Sequence, residues 1–503
     1  MIYHNPVIKG FYPDPSICRV GEDYYLVTSS FEFFPGVPLF HSKNLVNWKQ
    51  IGHCLTRDSQ LGLRGCHASA GVYAPTIRYH EVDGEGIFFM VTTNVGGGGH
   101  FIVHSRNLAQ GWSEPVWVAH EGIDPSLFFE GGKAYFCCTG DDNGKPGIWL
   151  FEVDPFTGTR LSEPVCVSNG CMGKHAEAPH VYAIDGKYYL MLAEGGTEYG
   201  HMITMQRAGC IYGPYEPCPH NPILSHRNRM NCDIQAMGHG DLLEDANGNW
   251  WMVCLGIRTL PRVMLHNLGR ETFLTPVRWE NGWPIAGQNG WLNETMDGPL
   301  PAACVPENLD WEDDFKSDML SDRWTFVRNP ERERYRLAEG KLHIDGGEDV
   351  LSRPGASPAW VGVRQQAFQM TAKTSLARPL IKGQKAGLSV FYNDSYHYDV
   401  YLERREDGAC AAALRRCVHG MEAALAPVVV EGEGEVGLRV VCGTQNYDFY
   451  CETAQGSIYL GAGAAAGLCT EGTRTMTFTG VFIGLFSTGG EAAFSGFSIR
   501  TEG

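Results

Sequence analysis

The sequence predicts an all-β protein in which a five-bladed β-propeller is followed by a β-sandwich. A strand–turn–strand pattern recurs five times between Asp14 and Cys254. A Pro- and Gly-rich stretch from Trp283 to about residue 310 interrupts this pattern. Beyond it, alternating strand-like segments continue without any stretch of helical period. These observations divide the chain into a propeller domain, residues 1–300, and a sandwich domain, residues 301–503.

Each copy of the repeat combines a short strand, a turn rich in Gly, Asp or Asn, and a second strand that opens on bulky apolar residues. In four copies the first residue stands ten positions before the residue that opens the second strand. The remaining copy, which starts at Ala74, has three extra turn residues. A hairpin with its turn at a fixed place, repeated about every fifty residues, is typical of a propeller blade. Five copies predict five blades. The copies begin at Asp14, Ala74, Asp124, Ala178 and Gly240.

Acidic residues occupy matching positions in several copies. Asp14 and Asp124 share one repeat position, and Glu177 and His239 stand one residue before it in the fourth and fifth copies. Because the first strand of each blade lines the central channel, we expect these side chains to meet at one end of it. Carboxylates brought together repel, and their pKa values separate, as a catalytic acid and base require. A turn-starting role explains one isolated Asp-Pro, but matching positions in three blades favour catalysis.

Other residues are expected to complete the pocket. Phe31, beside Phe33 and Phe34, is either a core residue or an apolar wall for a sugar ring. A loop carrying Thr197, Glu198, Tyr199 and His201 is expected at the rim. Arg258 and Arg270 are the basic candidates, because a cation beside carboxylates keeps one of them ionised and can donate to sugar hydroxyls.

The composition narrows the classes of function and partner. A formal net charge of −17 disfavours nucleic acid and anionic membrane surfaces and suits a neutral substrate. No apolar run is long enough to span a bilayer, and the first ten residues lack the features of a secretory signal. The odd number of cysteines, 17, in mostly apolar contexts predicts reduced thiols and a cytoplasmic location. The four glycines after Val95 lack the Lys of a phosphate loop.

Several long segments resemble the family 43 glycoside hydrolases, specifically their β-xylosidase and α-L-arabinofuranosidase members. The likeness covers nearly the whole chain, and the second domain is similar to the concanavalin A-like sandwich of these enzymes. The segments that carry it are FYPDPS at 11–16, SSFEFFPGVPLFHSKNLVNW at 29–48, GIDPSLFF at 122–129, EAPHVY at 177–182, AEGGTEYGH at 193–201 and LGRETFLTPVRW at 268–279.

The resemblance implies a role for each residue of the site. Asp14 is the general base that activates water, Glu177 is the general acid that protonates the leaving oxygen, and Asp124 orients Glu177 and raises its pKa. Arg270 holds the sugar and pairs with Asp124. No cofactor is required, but in some members a channel histidine contacts calcium, so His239 is the metal candidate. The substrate-binding residues are Phe31, Tyr73, His239, Arg270 and Phe478.

The implied activity is the inverting release of a terminal pentose, β-D-xylose, from xylo-oligosaccharides. An α-L-arabinofuranosidase or a bifunctional enzyme is the first alternative, and a non-catalytic carbohydrate-binding protein is the second. The family often has Trp-Ala-Pro where this chain has Tyr73-Ala-Pro, and Glu-Gly-Pro-His where it has Glu177-Ala-Pro-His, which leaves the choice of sugar open. The expected partner is a small oligosaccharide, with no nucleic acid or membrane, and self-association into a homo-oligomer stays open.

Overall fold

Five antiparallel sheets of four main strands follow one another along the first part of the chain in the computed structural model, which describes residues 1–142, 144–473 and 476–501. The first strands of neighbouring blades contact one another, so they surround the channel, and the later strands of each blade lie progressively further out. The predicted five-bladed propeller is therefore confirmed.

The blades run in chain order. Blade 1 contains Ser16–Val20, Asp23–Val27, Gly36–Ser42 and Lys49–Leu55. Blade 2 contains Gly71–Val82, Glu85–Val95, Gly99–Ser105 and Val116–Val118. Blade 3 contains Ile123–Glu130, Lys133–Asp141, Pro146–Val153 and Val165–Ser168. Blade 4 contains Glu177–Ile184, Lys187–Glu194, Met202–Ala208 and Glu216–Pro217, with Leu224–Ser225 added to its third strand. Blade 5 contains Ile234–Glu244, Trp250–Arg258, Glu271–Glu280 and Trp283–Ala286.

The segment after Trp283 is more ordered than the sequence suggests. Its first residues, Trp283–Ala286, form the outermost strand of blade 5, where we had expected an aperiodic linker. Thr295–Asp297 then pairs with the N-terminal strand Ile2–His4. The Asn5 side chain bonds both backbone groups of Leu274 in blade 5. A short paired strand shows too little periodicity to be recognised from sequence, and here such pairing holds the N-terminal segment against the last blade.

The second domain is a sandwich of two antiparallel sheets, which confirms the predicted fold. One sheet has the order Tyr335–Ala338, Lys341–Gly346, Gly490–Thr501, Met370–Leu376, Val436–Cys442, Asn446–Thr453 and Gly456–Ala464, with Trp311–Asp313 added at Gly490–Thr501. The other has the order Trp360–Arg364, Phe482–Thr488, Lys385–Asn393, Tyr396–Arg404, Cys410–Val418 and Met421–Ala424, with Val428–Val429 added at Cys410–Val418. Helix is limited to the short 3-10 turns Leu108–Gln110, Arg332–Arg334, Ala465–Leu468 and Thr470–Gly472 among the described residues. In the part of the chain that the structure describes, no helix is both long and apolar enough for a membrane span.

The two domains share part of their hydrophobic core. The strand Phe33–Phe34 of the propeller pairs with Phe326–Val327 of the sandwich. Phe33 stacks on Phe482 with their ring centroids 4.1 Å apart. Burial of rings of this size is a large favourable term in packing, so the sandwich is fixed directly against the segment between the second and third strands of blade 1.

Candidate active site

The first strand of every blade has the same unusual backbone conformation near its N-terminal end, where the strand reaches the pocket. A non-glycine residue there has positive φ, at a cost on the order of 1–3 kcal/mol in each case. In blades 2 to 5 the strand pairing also slips at this point, which is the signature of a β-bulge. Bulges re-aim side chains, and here they turn those beside the slip toward the channel mouth. The residues and their φ angles are Asp14 55°, Ala74 34°, Asp124 54°, Ala178 52° and His239 44°.

The fifth blade departs from the expected alignment by one residue. His239, and not Gly240, takes the left-handed conformation shared by Asp14 and Asp124. The hairpin turn of this blade is one residue longer: five residues lie between the paired Glu244 and Trp250, against four between Phe129 and Ala134 in blade 3. His239 is thus the structural equivalent of the two aspartates, whereas Glu177 stands one residue before the equivalent position in blade 4.

Asp14 is held by two groups at the channel end. Its Oδ1 accepts a hydrogen bond from Arg270 Nη1 at 2.9 Å, and its Oδ2 accepts one from Ser29 Oγ at 2.5 Å. The Ser29 oxygen in turn accepts from the backbone N–H of Ala74 at 2.7 Å. The carboxylate is buried and paired with a cation, so its orientation is fixed by both blade 1 and blade 2.

Glu177 and Asp124 both have raised pKa values. Burial, followed by the charge of Asp14, raises the pKa of Glu177 to about 7, against the opposing effect of Arg270. Burial, followed by the charges of Glu177 and Asp14, raises the pKa of Asp124 well above its usual range. Carboxyl groups that repel one another in a poorly solvated site cannot all ionise near neutral pH. The site therefore contains a carboxyl that is still protonated near pH 7 beside one that is ion-paired.

The two candidate arginines have different partners. Arg270 Nη1 bonds Asp14 and also Thr197 Oγ1 at 3.1 Å. The expected pairing of Arg270 with Asp124 is therefore wrong, because Arg270 precedes a strand of blade 5, which adjoins blade 1, whereas Asp124 belongs to blade 3. The Arg270 charge nevertheless lowers the pKa of Asp124. Arg258 is paired with Glu271 at 2.7 Å and does not line the pocket.

Three aromatic rings form one wall of the pocket. Phe31 lies 4.8 Å from Tyr73 and 5.7 Å from Phe478 between ring centroids, and the ring of Phe478 is stacked with it. The Arg270 guanidinium lies 5.5 Å from the rings of both phenylalanines. Phe31 is only 2% exposed. It packs in the hydrophobic core shared by the two domains and also forms part of the pocket wall. Phe478 comes from the sandwich, which thereby closes one side of the pocket.

His239 lies beside the carboxylates without forming a cage for calcium. Its Nδ1 is 3.7 Å from Asp14 Oδ1, an oxygen that already accepts from Arg270. Burial lowers the pKa of His239, which favours the neutral ring. Calcium takes six to eight oxygen ligands. Among the described residues, no group of three metal-ligating side chains includes His239. The residues around His239 therefore do not fit a calcium ion held by the protein, and His239 remains a candidate for binding the substrate.

The channel below the pocket is closed by a buried polar network further along the inner strands. Asp241 accepts hydrogen bonds from Arg78 at 2.7 Å, Tyr182 at 2.7 Å and Ser16 at 2.7 Å. Although burial opposes it, the charge of Arg78 holds the pKa of Asp241 below its usual range. These groups come from four different blades, so the site is a blind pocket with one mouth.

All the predicted catalytic and substrate-binding residues line this one pocket, whose volume is about 190 Å³. This is below the roughly 300–1,000 Å³ of pockets for drug-sized ligands, and it suits one sugar ring. Of the expected rim residues, Tyr199 is displaced and donates to Glu471 of the sandwich at 2.6 Å. The predicted site residues, all of which lie together, are Asp14, Phe31, Tyr73, Asp124, Glu177, His239, Arg270 and Phe478.

Some residues of the site were not predicted from the sequence. His175 stands in an irregular segment before blade 4, and Met476 belongs to a sandwich loop. Ser29, which holds Asp14, follows the second strand of blade 1. Ser29 had one available signal, since it lies within a segment that carries the family resemblance.

A small blind pocket with several carboxyl groups, one arginine and an aromatic wall defines a carbohydrate-cleaving enzyme, and comparisons with known proteins agree. The sequence profile of Glycosyl hydrolases family 43 matches residues 3–284. That of the Beta xylosidase C-terminal Concanavalin A-like domain matches residues 312–500. A non-reducing end α-L-arabinofuranosidase of Bacteroides ovatus is 41% identical, with 97% of this chain and 91% of that protein covered. A xylosidase/arabinosidase of Butyrivibrio fibrisolvens is 38% identical, with 81% of each chain covered.

Solved structures show the same arrangement over the whole chain. The structure of the Bacteroides ovatus xyloglucan PUL GH43B superposes with a TM-score of 0.93 at 40% identity and 100% coverage of both chains. A xylan β-1,4-xylosidase from Bacillus halodurans superposes with a TM-score of 0.91 at 29% identity and 99% coverage of both chains. The chain belongs to glycoside hydrolase family 43, whose members are inverting glycoside hydrolases. The predicted family, enzyme class and architecture are confirmed, and the non-catalytic alternative is set aside.

Proposed function

We propose that this enzyme removes single pentose units, foremost β-D-xylose, from the non-reducing ends of short xylan-derived oligosaccharides. The observation that carries the proposal is the blind, one-ring pocket with Asp14, Asp124 and Glu177 at its carboxyl-rich end. A pocket closed below by the Asp241 network cannot accommodate the interior of a polymer. It accepts only a chain end, and the leaving part of the chain extends out of the mouth.

In the proposed mechanism Asp14 is the general base. Its carboxylate, ion-paired with Arg270 at 2.9 Å, takes a proton from a water molecule that attacks the anomeric carbon. Inversion by single displacement requires this water to stand between the base and the sugar, which sets the two catalytic carboxyls roughly 6.5–9.5 Å apart. Held by Ser29 as well as by Arg270, the base keeps one orientation while the water is activated.

Glu177 is the proposed general acid. A pKa of about 7 leaves much of it protonated at neutral pH, so it can donate to the leaving glycosidic oxygen. Asp124 is the proposed positioning residue. It is buried beside Glu177, and the backbone N–H of Ala178, next in sequence to Glu177, donates to its carboxyl. Asp124 thus lies against the peptide that carries the acid.

Release of α-L-arabinofuranose is the second candidate activity. The relative that is 41% identical bears the name non-reducing end α-L-arabinofuranosidase, and the one that is 38% identical bears the name xylosidase/arabinosidase. Both are neutral pentosyl groups with the same number of free hydroxyls, xylose as a six-membered ring and arabinofuranose as a five-membered ring. Tyr73, at a position where the family often has Trp, gives the wall a smaller ring, and one site accepting both sugars fits this pocket.

The test compares 4-nitrophenyl β-D-xylopyranoside with 4-nitrophenyl α-L-arabinofuranoside and then follows the products from xylotriose. We expect xylose as the first product and NMR detection of the inverted anomer immediately after cleavage. Asp14→Asn and Glu177→Gln are the inactive controls. Release of arabinose alone would replace the first candidate by the second. Cleavage within longer chains, or retention of configuration, would overturn the proposal.

We also propose a cytoplasmic location, where the enzyme would act on imported oligosaccharides. Its support is the set of 17 cysteines, all of which are unpaired thiols in the structure. Proteins of oxidising compartments seldom keep so many free thiols. Cell fractionation with an antibody against the chain tests the location, and recovery of the enzyme outside the cytoplasm would contradict it.

A further inference from the structure

Two imidazoles and one thiol meet between blades 2 and 3, away from the catalytic residues. His100 lies on the third strand of blade 2, His120 on the connection between the blades, and Cys138 on the second strand of blade 3. One potential ligand atom from each of them lies within 4.8 Å of the others. The Cys138 sulfur is 3.6 Å from His120 Nδ1.

The hydrogen bonds of the two rings leave one nitrogen of each unused. His120 Nδ1 donates to the backbone oxygen of Glu121 at 2.8 Å, so Nε2 carries the lone pair in the neutral ring. Because the contact with the Cys138 sulfur is through Nδ1, binding of a metal through Nε2 requires the His120 ring to turn. His100 Nδ1 is bonded to Thr93 Oγ1 at 2.8 Å. Both Nε2 atoms are buried and lack a hydrogen-bond partner within the described ranges of the chain. His100 itself is only 1% exposed.

An unpaired buried nitrogen is costly, on the order of 1–3 kcal/mol for each group. The pattern here is that of metal-ligating histidines, in which one ring nitrogen binds the ion and the other is fixed by a carbonyl or hydroxyl oxygen. Aromatic rings surround the cluster, with Phe136 5.3 Å from His100 and Phe151 5.4 Å from His120 between ring centroids. Such apolar surroundings strengthen a metal–ligand interaction by excluding water.

From this geometry we infer a binding site for Zn²⁺ formed by His100, His120 and Cys138. Two imidazole nitrogens and a thiolate are ligands that zinc prefers and that calcium and magnesium do not. Binding replaces the proton of the Cys138 thiol by the metal, so one proton is released for each ion bound. A water molecule completes the tetrahedral set. Because the ligands come from two blades and their connection, the ion ties the two blades together.

A second group of His, Cys and Glu in the sandwich lacks these properties. His397 Nδ1 is 2.9 Å from Asp399 Oδ2. Although burial opposes it, the charge of Asp399 raises the pKa of His397 to about 9. A protonated ring paired with a carboxylate has no lone pair to offer, so zinc is expected to bind the cluster of His100, His120 and Cys138 and not the one in the sandwich.

The experiment measures zinc binding by the full-length protein after it has been stripped with a chelator. Titration with ZnCl₂ against a chromophoric zinc indicator should give one tight site. Co²⁺ in place of Zn²⁺ should give thiolate-to-metal charge-transfer absorption. Loss of a ligand should weaken binding by more than the roughly 10–100-fold typical of an outer-shell change. The variants that should lose the site are Cys138→Ala and His120→Gln.

Matched controls keep the test decisive. Cys137→Ala removes the adjacent buried thiol, and His104→Gln removes an imidazole on the same strand as His100. Both should bind zinc as the wild-type protein does. Circular dichroism checks folding, and because His120 is only partly buried, His120→Gln provides a result even if Cys138→Ala misfolds. Absence of a tight site in the wild-type protein, or unchanged binding in both ligand variants, would overturn the inference.

Discussion

Glu177 is expected to destabilise the folded protein once it ionises. Folding raises its pKa from 4.5 to about 7, through burial and then the charge of Asp14. A carboxyl with a raised folded-state pKa loses stability as the pH rises from about 4.5 to about 7, and above that the loss is complete. At 1.36 kcal/mol per pKa unit the loss is up to about 3 kcal/mol. Glu177→Gln, which cannot ionise, should recover this free energy at pH 8 and recover little of it at pH 5.

The assay is thermal unfolding of the wild-type protein and Glu177→Gln at pH 5 and pH 8, followed by circular dichroism. We expect the variant to melt several degrees higher at pH 8 only. The matched control is Glu198→Gln, since Glu198 is an exposed carboxylate at the rim of the same pocket. In parallel, kcat of Glu177→Gln on xylobiose should fall about 10²–10⁴-fold. An equal melting difference at both pH values, or a lower melting temperature at pH 8, would refute the electrostatic reasoning.

Further predictions concern other parts of the site. For wild-type enzyme, kcat/KM on xylobiose should decline above about pH 7 as Glu177 loses its proton; a constant value up to pH 9 would contradict its role as the acid. Asp14→Asn should lose about 10²–10⁴ in kcat, measured on the same substrate. Arg270→Lys removes the planar guanidinium, whose Nη1 bonds Asp14 and Thr197 and whose Nη2 bonds the Phe478 backbone oxygen, so kcat/KM should drop about 10–100-fold; near wild-type kinetics would argue against these contacts. Phe478→Ala should raise KM about tenfold with less effect on kcat, since it removes an apolar contact with the bound sugar and no group that takes part in proton transfer. Ca²⁺ added to chelator-treated enzyme should leave its activity unchanged, because the surroundings of His239 offer no oxygen cage; activity restored by Ca²⁺ would show this to be wrong.

The repeat made most of the fold predictable. Each hairpin contains turn residues and apolar runs within one short window, so the five blades follow from local pattern alone. The strands Thr295–Asp297 and Ile2–His4 pair across nearly the whole propeller sequence. Such long-range pairing leaves no periodic signal in three residues. Trp283–Ala286 was missed for the same reason, since its neighbour, Glu271–Glu280, and not its own pattern makes it a strand.

The site residues that occupy equivalent positions of the repeat could be predicted from the sequence. Contacts that depend on which blades are neighbours in the closed ring could not. Asp14, Asp124 and Glu177 come together because their blades share a channel. The partner of Arg270 depends on which blades adjoin in the closed ring, which the residues alone do not specify. The one-residue offset of His239 arises because the hairpin turn of blade 5 is one residue longer than those of blades 1, 3 and 4, a variation that the repeat pattern does not reveal.

The Asp241 network has a kinetic consequence. With the lower channel blocked by Arg78, Tyr182 and Ser16, entry and exit use the same opening. The shortened oligosaccharide must diffuse away first, and the pentose at the bottom of the pocket leaves last. The free pentose is then a competitive inhibitor that occupies the same innermost position as the next chain end, so its accumulation slows turnover.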